Sequence, residues 1–443
     1  MKKRILAALL AGAMVISLAA CGSKPAESAP AEDKPAAEAD APAEEPAAEE
    51  AAAPVEAQTI TFYGFSDWMD AEPYKAVYEE VKATFEAENP GITVELQSDP
   101  WGDWEQKYKT MFASGNAADV FMVNNPDFPV FANSGNLLDL GAYAQSGSFD
   151  NYFLGVLGMY EWQGKNMAVP FTTDCRIMWY NKEIFAEAGL DPEKAPTTWE
   201  ELVAAAKTIT EKTGKYGFGM DMGLKELPTA SLYITSGSQL INVADDGTIT
   251  PNVDTDEFRG YLKTLVDMKD AYEPDYPNLD MHDVAAQFAE GQFGIIIGNT
   301  LTATDIYDKD FWGQGLIPKM SAAGEEGSFG GGFGIAVNSE TKAPEAATKF
   351  AQMLTDARFN AGLISDLPAT EEGLANSEIA QDPNMNLYLE QIKYAKQSMP
   401  KTLYYAEIEA AAYDTVVSVV VGGEDIDAAV TALTAKIEEI AQK

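Results

Sequence analysis

Between residues 59 and 123 the apolar residues change period from two to 3.6 and back, twice over. Ile60 and Phe62 alternate with Thr61 and Tyr63, a strand pattern that stops at Gly64. Tyr74, Val77, Tyr78, Val81 and Phe85 then share one helical face behind Pro73, and Asn89-Pro90-Gly91 stops that helix. Ile92, Val94 and Leu96 alternate again. Trp104, Tyr108, Met111 and Phe112 form a second helical stripe, ended by Ser114-Gly115, and Val120-Phe121-Met122-Val123 is a short apolar run. A strand–helix–strand–helix–strand order predicts right-handed crossovers around a parallel sheet, which sets aside all-helical and all-strand folds.

The rest of the chain keeps to the α/β pattern. Trp162 to Pro170 reads as a hairpin around Gly164-Lys165-Asn166, and Cys175 to Asn181 is another apolar run. Thr198 is the expected N-cap of a helix in which Glu201 completes a capping box, Leu202, Ala205, Ala206 and Ile209 are buried, and Gly214 is the stop. Gly294 to Gly298 and Gly332 to Asn338 read as buried strands. The chain ends in an antiparallel helix pair, 406–421 and 426–441, joined by Gly422-Gly423. More than one sheet is expected, and no internal repeat is visible.

Ahead of residue 58 the composition is of another kind. Met1-Lys2-Lys3-Arg4 precedes an apolar stretch, 5–20, shorter than the roughly 20 residues a spanning helix needs, which reads as a secretory signal. The stretch ends Leu18-Ala19-Ala20-Cys21-Gly22, similar to a bacterial lipobox, with Cys21 the expected lipidation site. Residues 22–57 are mostly Ala, Glu and Pro, with two lysines against ten acids. Such a segment buries too little apolar surface to offset chain entropy and is expected to act as a disordered tether, with an extended reach on the order of 100 Å. Residues 1–20 are thus expected to be a lipoprotein signal peptide and 21–57 a lipidated tether.

The 30 Lys and Arg face 70 Asp and Glu, a formal charge of −40. A surface of that sign repels phosphate backbones and anionic lipid, so nucleic-acid partners are excluded and the membrane is reached only through the N-terminal lipid. Two cysteines and one histidine leave no disulfide framework, no Cys/His zinc site and no two-histidine mechanism. His282 lies in a polar helix start and is expected to be exposed; Cys175 has no base beside it in sequence. Gly330-Gly331-Gly332 lacks the Lys of a phosphate-cradling loop. Seventy acids produce carboxylate pairs by chance, and nothing marks two of them as held at a catalytic spacing.

Several ordered segments carry a family resemblance. They are Phe85-Glu86-Ala87-Glu88-Asn89-Pro90-Gly91-Ile92-Thr93-Val94, Ala113-Ser114-Gly115, Ala118-Asp119-Val120, Ser134-Gly135-Asn136-Leu137-Leu138-Asp139-Leu140 and Val169-Pro170. The most specific runs from Trp179-Tyr180-Asn181-Lys182-Glu183-Ile184-Phe185 through Ala188-Gly189-Leu190 to Thr198-Trp199-Glu200-Glu201-Leu202; Phe288-Ala289-Glu290-Gly291-Gln292 follows. In this order, over 59–443, the chain resembles the extracellular solute-binding proteins of the sugar ABC-transporter type, the maltose-binding protein family. The resemblance implies a two-lobed periplasmic-binding-protein-like fold, each lobe a mostly parallel sheet flanked by helices, with ligand in the cleft at the hinge. The N-terminal lobe would take 58–173 and 333–382, and the C-terminal lobe 174–332 and 383–443. It also implies a monomer without cofactor, metal or catalysis. Its partners would be a mono- or oligosaccharide and the transmembrane subunits of a permease, with the ATPase on a separate chain.

A sugar needs aromatic faces for its C–H patches, and carboxylates, amides and arginine for its hydroxyls. Loops at the ends of parallel strands offer this mix. Ser66, Asp67 and Trp68 follow the first strand, Trp101 and Asp103 the second, and Asn124 and Asn125 the third. Asp174 stands where the resemblance implies an acidic sugar-binding residue, and Arg176 lies on the same side of an extended chain; the two could bind ligand or form a salt bridge between lobes. By the same resemblance Gly332 and Phe333 lie where the chain crosses back, Asn299 stands where sugar binders often carry a tryptophan, with Trp312 nearby, and Tyr405 falls at a stacking position. Val123 departs from the family's stacking aromatic, so maltodextrin is not implied. The alternatives are a non-sugar solute such as a polyol phosphate, or a cell-surface glycan hydrolase or adhesin.

Overall fold

The computed structural model describes residues 57–443 except 223–226, 228, 245–246, 300–305, 307–308 and 365, and leaves out the side chains of 101, 102, 105, 154, 155, 378 and 379. The signal segment, Cys21 and all but the last residue of the expected tether lie outside the described residues.

In chain order the first elements are β1 (Gln58–Phe65), α1 (Tyr74–Glu88), β2 (Ile92–Asp99), α2 (Trp101–Ser114), β3 (Val120–Asn124) and β4 (Ala168–Pro170). Next come β5 (Ile177–Asn181), α3 (Trp199–Thr213), β6 (Tyr216–Gly219), α4 (Met281–Ala289), β7 (Phe293–Gly298), β8 (Trp312–Gly315) and β9 (Phe333–Val337). The chain closes with α5 (Tyr405–Val416), which runs on as a π-helical turn over Val417–Val421, and α6 (Ile426–Ala441). The helices Asp256–Asp267 and Pro344–Leu354, several shorter helices and two-stranded ribbons lie between them.

Two sheets organise the fold. The first has the order β2-β1-β3-β9-β4, with β1 parallel to β2 and β3, and β9 antiparallel to β3 and β4. The second has the order β8-β5-β7-β6, in which β5 is antiparallel to β7 and β8 while β7 is parallel to β6. The mostly parallel sheets expected from sequence are therefore mixed. Parallel pairing holds where helices α1 and α2 return the chain. It fails at β9 and β5, the strands next to the places where the chain changes sheet, because each pairs against its neighbours head to tail.

Each sheet has its own apolar packing. One core gathers residues from 60–171 and 335–369; two others gather residues from 175–317 and 385–440. The fold is two-lobed. The chain leaves the first core after Phe171, enters the others at Cys175, returns between Phe329 and Phe333, and crosses a third time between Ala369 and Met385; the first two passages are the ones that run between the two sheets.

Local signals explain several helix ends. Thr198 accepts the Glu201 amide at 3.2 Å as the N-cap of α3. The Glu201 carboxylate reaches one residue further back than a simple capping box, accepting from the amide (2.8 Å) and hydroxyl (2.7 Å) of Thr197. Those bonds hold its pKa below the usual carboxylate value. Asp280 caps α4 in a reciprocal box with Asp283, which fixes the helix start that carries His282. At the hairpin, Gln163 and Gly164 both have positive φ, the pair of values a tight two-residue turn needs.

The return passage brings two stretches of backbone into close approach. Gly332 has φ +139°, and a Cβ there would lie 2.2 Å from the carbonyl oxygen of Thr172 on the outgoing passage. Gly332→Ala is expected to cost roughly 2–4 kcal/mol through strain and overpacking together. A lowered urea midpoint with an unchanged slope checks this, with Gly115→Ala, whose added Cβ meets nothing within 4 Å, as the milder left-handed control.

Candidate functional site

A cavity of about 520 Å³ lies where the carboxyl ends of β1, β3 and β7 meet the two passages. Phe65 ends β1, and the short helix Ser66–Met69 then turns Trp68 inward. Phe65 and Trp68 rings lie 4.3 Å apart, and Phe333 approaches them at 5.1 and 5.7 Å. These three rings form one aromatic wall. Trp68 is only 6% exposed, so its stacking surface is presented by packing rather than by a free loop. Tyr74 and Asp366 stand on the same side; burial and the Asp366 charge both push the Tyr74 phenol up.

Asn124 and Asn125 follow β3. The Asn124 side-chain oxygen accepts the Asp127 amide at 3.1 Å, which shapes the turn. Asn125 is 7% exposed, with its amide nitrogen 3.2 Å from the sulfur of Met159 and its side-chain oxygen buried without a hydrogen-bond partner. From the opposite side come Asn299 after β7, Met281 and His282 at the start of α4, Gln397, and Tyr405 and Glu409 one turn apart on α5.

Asp174 holds the floor together. One carboxylate oxygen accepts Arg176 at 2.6 Å, and the other accepts the backbone N–H of Gly331 at 2.7 Å. Arg176 in turn lies 4.7 Å from the centre of the Phe329 ring, a cation–π contact. The Arg176 amide and carbonyl both bond the Ser328 hydroxyl at 2.8 Å. Tyr160 adds a bond to the Gly332 carbonyl at 2.9 Å. The Asp174–Arg176 ion pair is internal to one passage rather than a bridge between lobes; Asp174 alone bonds the other passage, through the Gly331 amide, and both residues line the cavity.

Ten residues singled out from sequence line this cavity: Asp67, Trp68, Asn124, Asn125, Asp174, Arg176, Asn299, Gly332, Phe333 and Tyr405. Three do not. Ser66 begins the short helix, where its carbonyl accepts the Asp70 amide. Asp103 is exposed in the first turn of α2, on the outer side where Lys107 pairs with Asp99. Trp312 sits in the edge strand β8 and packs edge-to-face on Trp179 at 5.2 Å, because β8 pairs with β5 away from the cavity. The side chain of Trp101 lies outside the described residues.

Sequence reasoning passed over Tyr74, Phe329, Asp366, Gln397, Glu409 and His282. Glu409 had a readable signal, since it lies four residues after Tyr405 on one helical face. His282 is exposed, as its polar setting suggests, yet stands at the cavity wall. Asp366 and Gln397 come from segments without a pattern and are placed by tertiary structure alone. Cys175 is fully buried, and burial pushes its thiol up, which disfavours the thiolate. Among the described residues no group of His, Cys, Asp and Glu could hold a metal ion, and no helix is long and apolar enough to cross a membrane.

A cavity closed by two sheets and floored by the passages between them is the arrangement of a two-lobed binding protein. Residues 70–361 match the family model described as bacterial extracellular solute-binding protein, and the chain belongs to that family. It is 26% identical over 379 residues to the diacetylchitobiose binding protein DasA of Streptomyces coelicolor, covering 82% of this chain and 80% of that one. Its fold is similar to that of the sugar-binding protein MalE from Xanthomonas citri (TM-score 0.73, 24% identity, 87% of this chain and 97% of that chain). The cyclic alpha-maltosyl-1,6-maltose binding protein from Arthrobacter globiformis is similar to the same degree (TM-score 0.73, 22% identity, 86% and 98%).

Removing the Asp174 carboxylate takes the paired charge from a largely buried guanidinium and the acceptor from a backbone N–H. Asp174→Ala is expected to lower unfolding free energy by about 3 kcal/mol, whereas Asp103→Ala on the exposed outer surface should stay within about 0.5 kcal/mol. Chemical denaturation of the two variants side by side measures the contrast.

Proposed function

We propose that this protein is the substrate-binding component of an ABC importer and that it captures a mono- or oligosaccharide in the cavity between its lobes. The observation that carries the reading is the composition of that cavity. Trp68, Phe65 and Phe333 offer ring faces for C–H patches, while Asp67, Asp174, Asp366, Glu409, Asn124 and Asn299 offer acceptors and donors for hydroxyls. Relatives whose names specify diacetylchitobiose or a maltosyl-maltose as ligand support the same class.

A polyol phosphate fits less well. Among the described lining residues four carboxylates face one guanidinium, and that guanidinium is bonded to Asp174. A dianionic ligand would meet net repulsion there. In this reading the sugar leaves unchanged, so the protein is not a hydrolase. The lobes are taken as 58–173 with 333–382 and 174–332 with 383–443, and ligand contacts with both drive closure. The closed protein, a monomer, docks on permease subunits. Cys21 would carry the lipid that anchors it at the outer face of the bacterial membrane, with 22–57 as the tether.

Calorimetric titration of the chain from residue 22 onward against a panel of mono- and oligosaccharides tests this. One-to-one saturable binding with the sugar recovered intact is expected. Trp68→Ala should weaken it at least tenfold, a loss of about 1.4 kcal/mol. Release of shortened sugar would defeat the transport reading, and selective binding of a phosphorylated polyol would replace the ligand class.

A further inference from the structure

Lys401 lies in the segment between the short strand Ala395–Lys396 and helix α5, next to Met399 and Tyr405 of the second core. Its ammonium does not point to a carboxylate. It donates to the carbonyl of Gly158 at 2.6 Å and also to the carbonyl of Glu161. Both acceptors belong to the other lobe, where Val156 and Tyr160 are part of the first core. Gly158 is in the last turn of the short helix Leu154–Met159, whose terminal carbonyls have no partner within the helix and whose negative end favours a cation.

The position is next to the cavity on both sides. Met159, adjacent to Gly158, contacts the Asn125 amide, and Tyr405, four residues beyond Lys401, lines the cavity. Burial pushes the Lys401 amine below the usual lysine value, with the Glu161 charge opposing that shift. A lysine kept at such a place needs its two carbonyl acceptors, and these are supplied only when the lobes stand together.

We propose that Lys401 is a latch between the lobes: its ammonium, bonded to the carbonyls of Gly158 and Glu161, holds the interlobe arrangement seen here and so positions the two cavity walls for ligand. The inference rests on reading the cavity as a cleft between lobes that open and close. It adds a residue that touches no ligand and acts on the opening equilibrium.

The test needs no sugar. Spin labels are placed at exposed sites on the two lobes, through Glu79→Cys on α1 and Glu211→Cys on α3, in the full chain carrying Cys21→Ser. Cys175 is buried and escapes labelling. Pulsed electron-spin distance measurement on the unliganded protein should give a narrow distribution for the parent and for Lys401→Arg. Lys401→Met should add a longer-distance population or at least double the width, with unchanged far-ultraviolet circular dichroism. Lys401→Gln, which keeps an N–H donor group without the charge, should lie between and serves if the Met variant folds poorly. Distributions for Met and Gln that superimpose on the parent would overturn the latch, as would equal broadening by Arg. A failed sugar titration would sink the ligand reading and leave this result standing.

Discussion

The carboxylate of Asp174 joins the two passages by which the chain changes sheet, taking the Arg176 guanidinium with one oxygen and the Gly331 amide with the other. The groups around it follow from that bond. Gly331 must be close to Asp174, so Gly332 is pressed against Thr172 and needs a conformation that side chains rarely adopt. Arg176, held by Asp174, lies over Phe329, and Ser328 bridges the Arg176 backbone. A largely buried ion pair is weak evidence for stability against an apolar substitute, since desolvation offsets much of the attraction. Its value here is geometric: it fixes the floor from which both cavity walls rise.

Those walls are built in different ways. On the first lobe, aromatic rings are locked by packing on one another, so a stacking face needs no ordering when a ligand arrives, and less entropy is lost on binding. On the second lobe the polar groups hang from strand and helix ends: Asn299 after β7, His282 at a doubly capped helix start, and Tyr405 and Glu409 on α5. A ligand that touches both walls favours the state in which they face each other, which is the thermodynamic content of hinge closure. Lys401 acts on the same equilibrium from the rim.

The alternating periods of residues 59–123 were enough to place β1, α1, β2, α2 and β3, because the helices and β2 bury one face, β3 is a short apolar run buried on both, and the stops are Gly, Pro or Asn. The loops behind those strands could be read as site candidates for the same reason, and Asp67, Trp68, Asn124 and Asn125 line the cavity. Strand direction at β5 and β9 was not readable, since period two is the same for parallel and antiparallel pairing. Asp103 and Trp312 fell outside because a loop or an edge strand has two sides, and only tertiary packing decides which side faces the cavity. Asp366, Gln397 and Lys401 sit in irregular segments, where no periodicity exists to carry a signal. The relation of Asp174 to Gly331, 157 residues apart, is a property of the folded chain alone.

The central claim is that one ligand is held by both lobes over the floor that Asp174 builds. A crystal structure of the protein with a tightly bound sugar tests it most directly. The account predicts a sugar ring against Trp68 and Phe333, with hydroxyls bonded to Asp174 or Arg176 and to at least one of Asn299, Glu409 and Gln397 from the facing wall. A sugar bound at saturating affinity to one lobe only, or at a surface away from these residues, would contradict it.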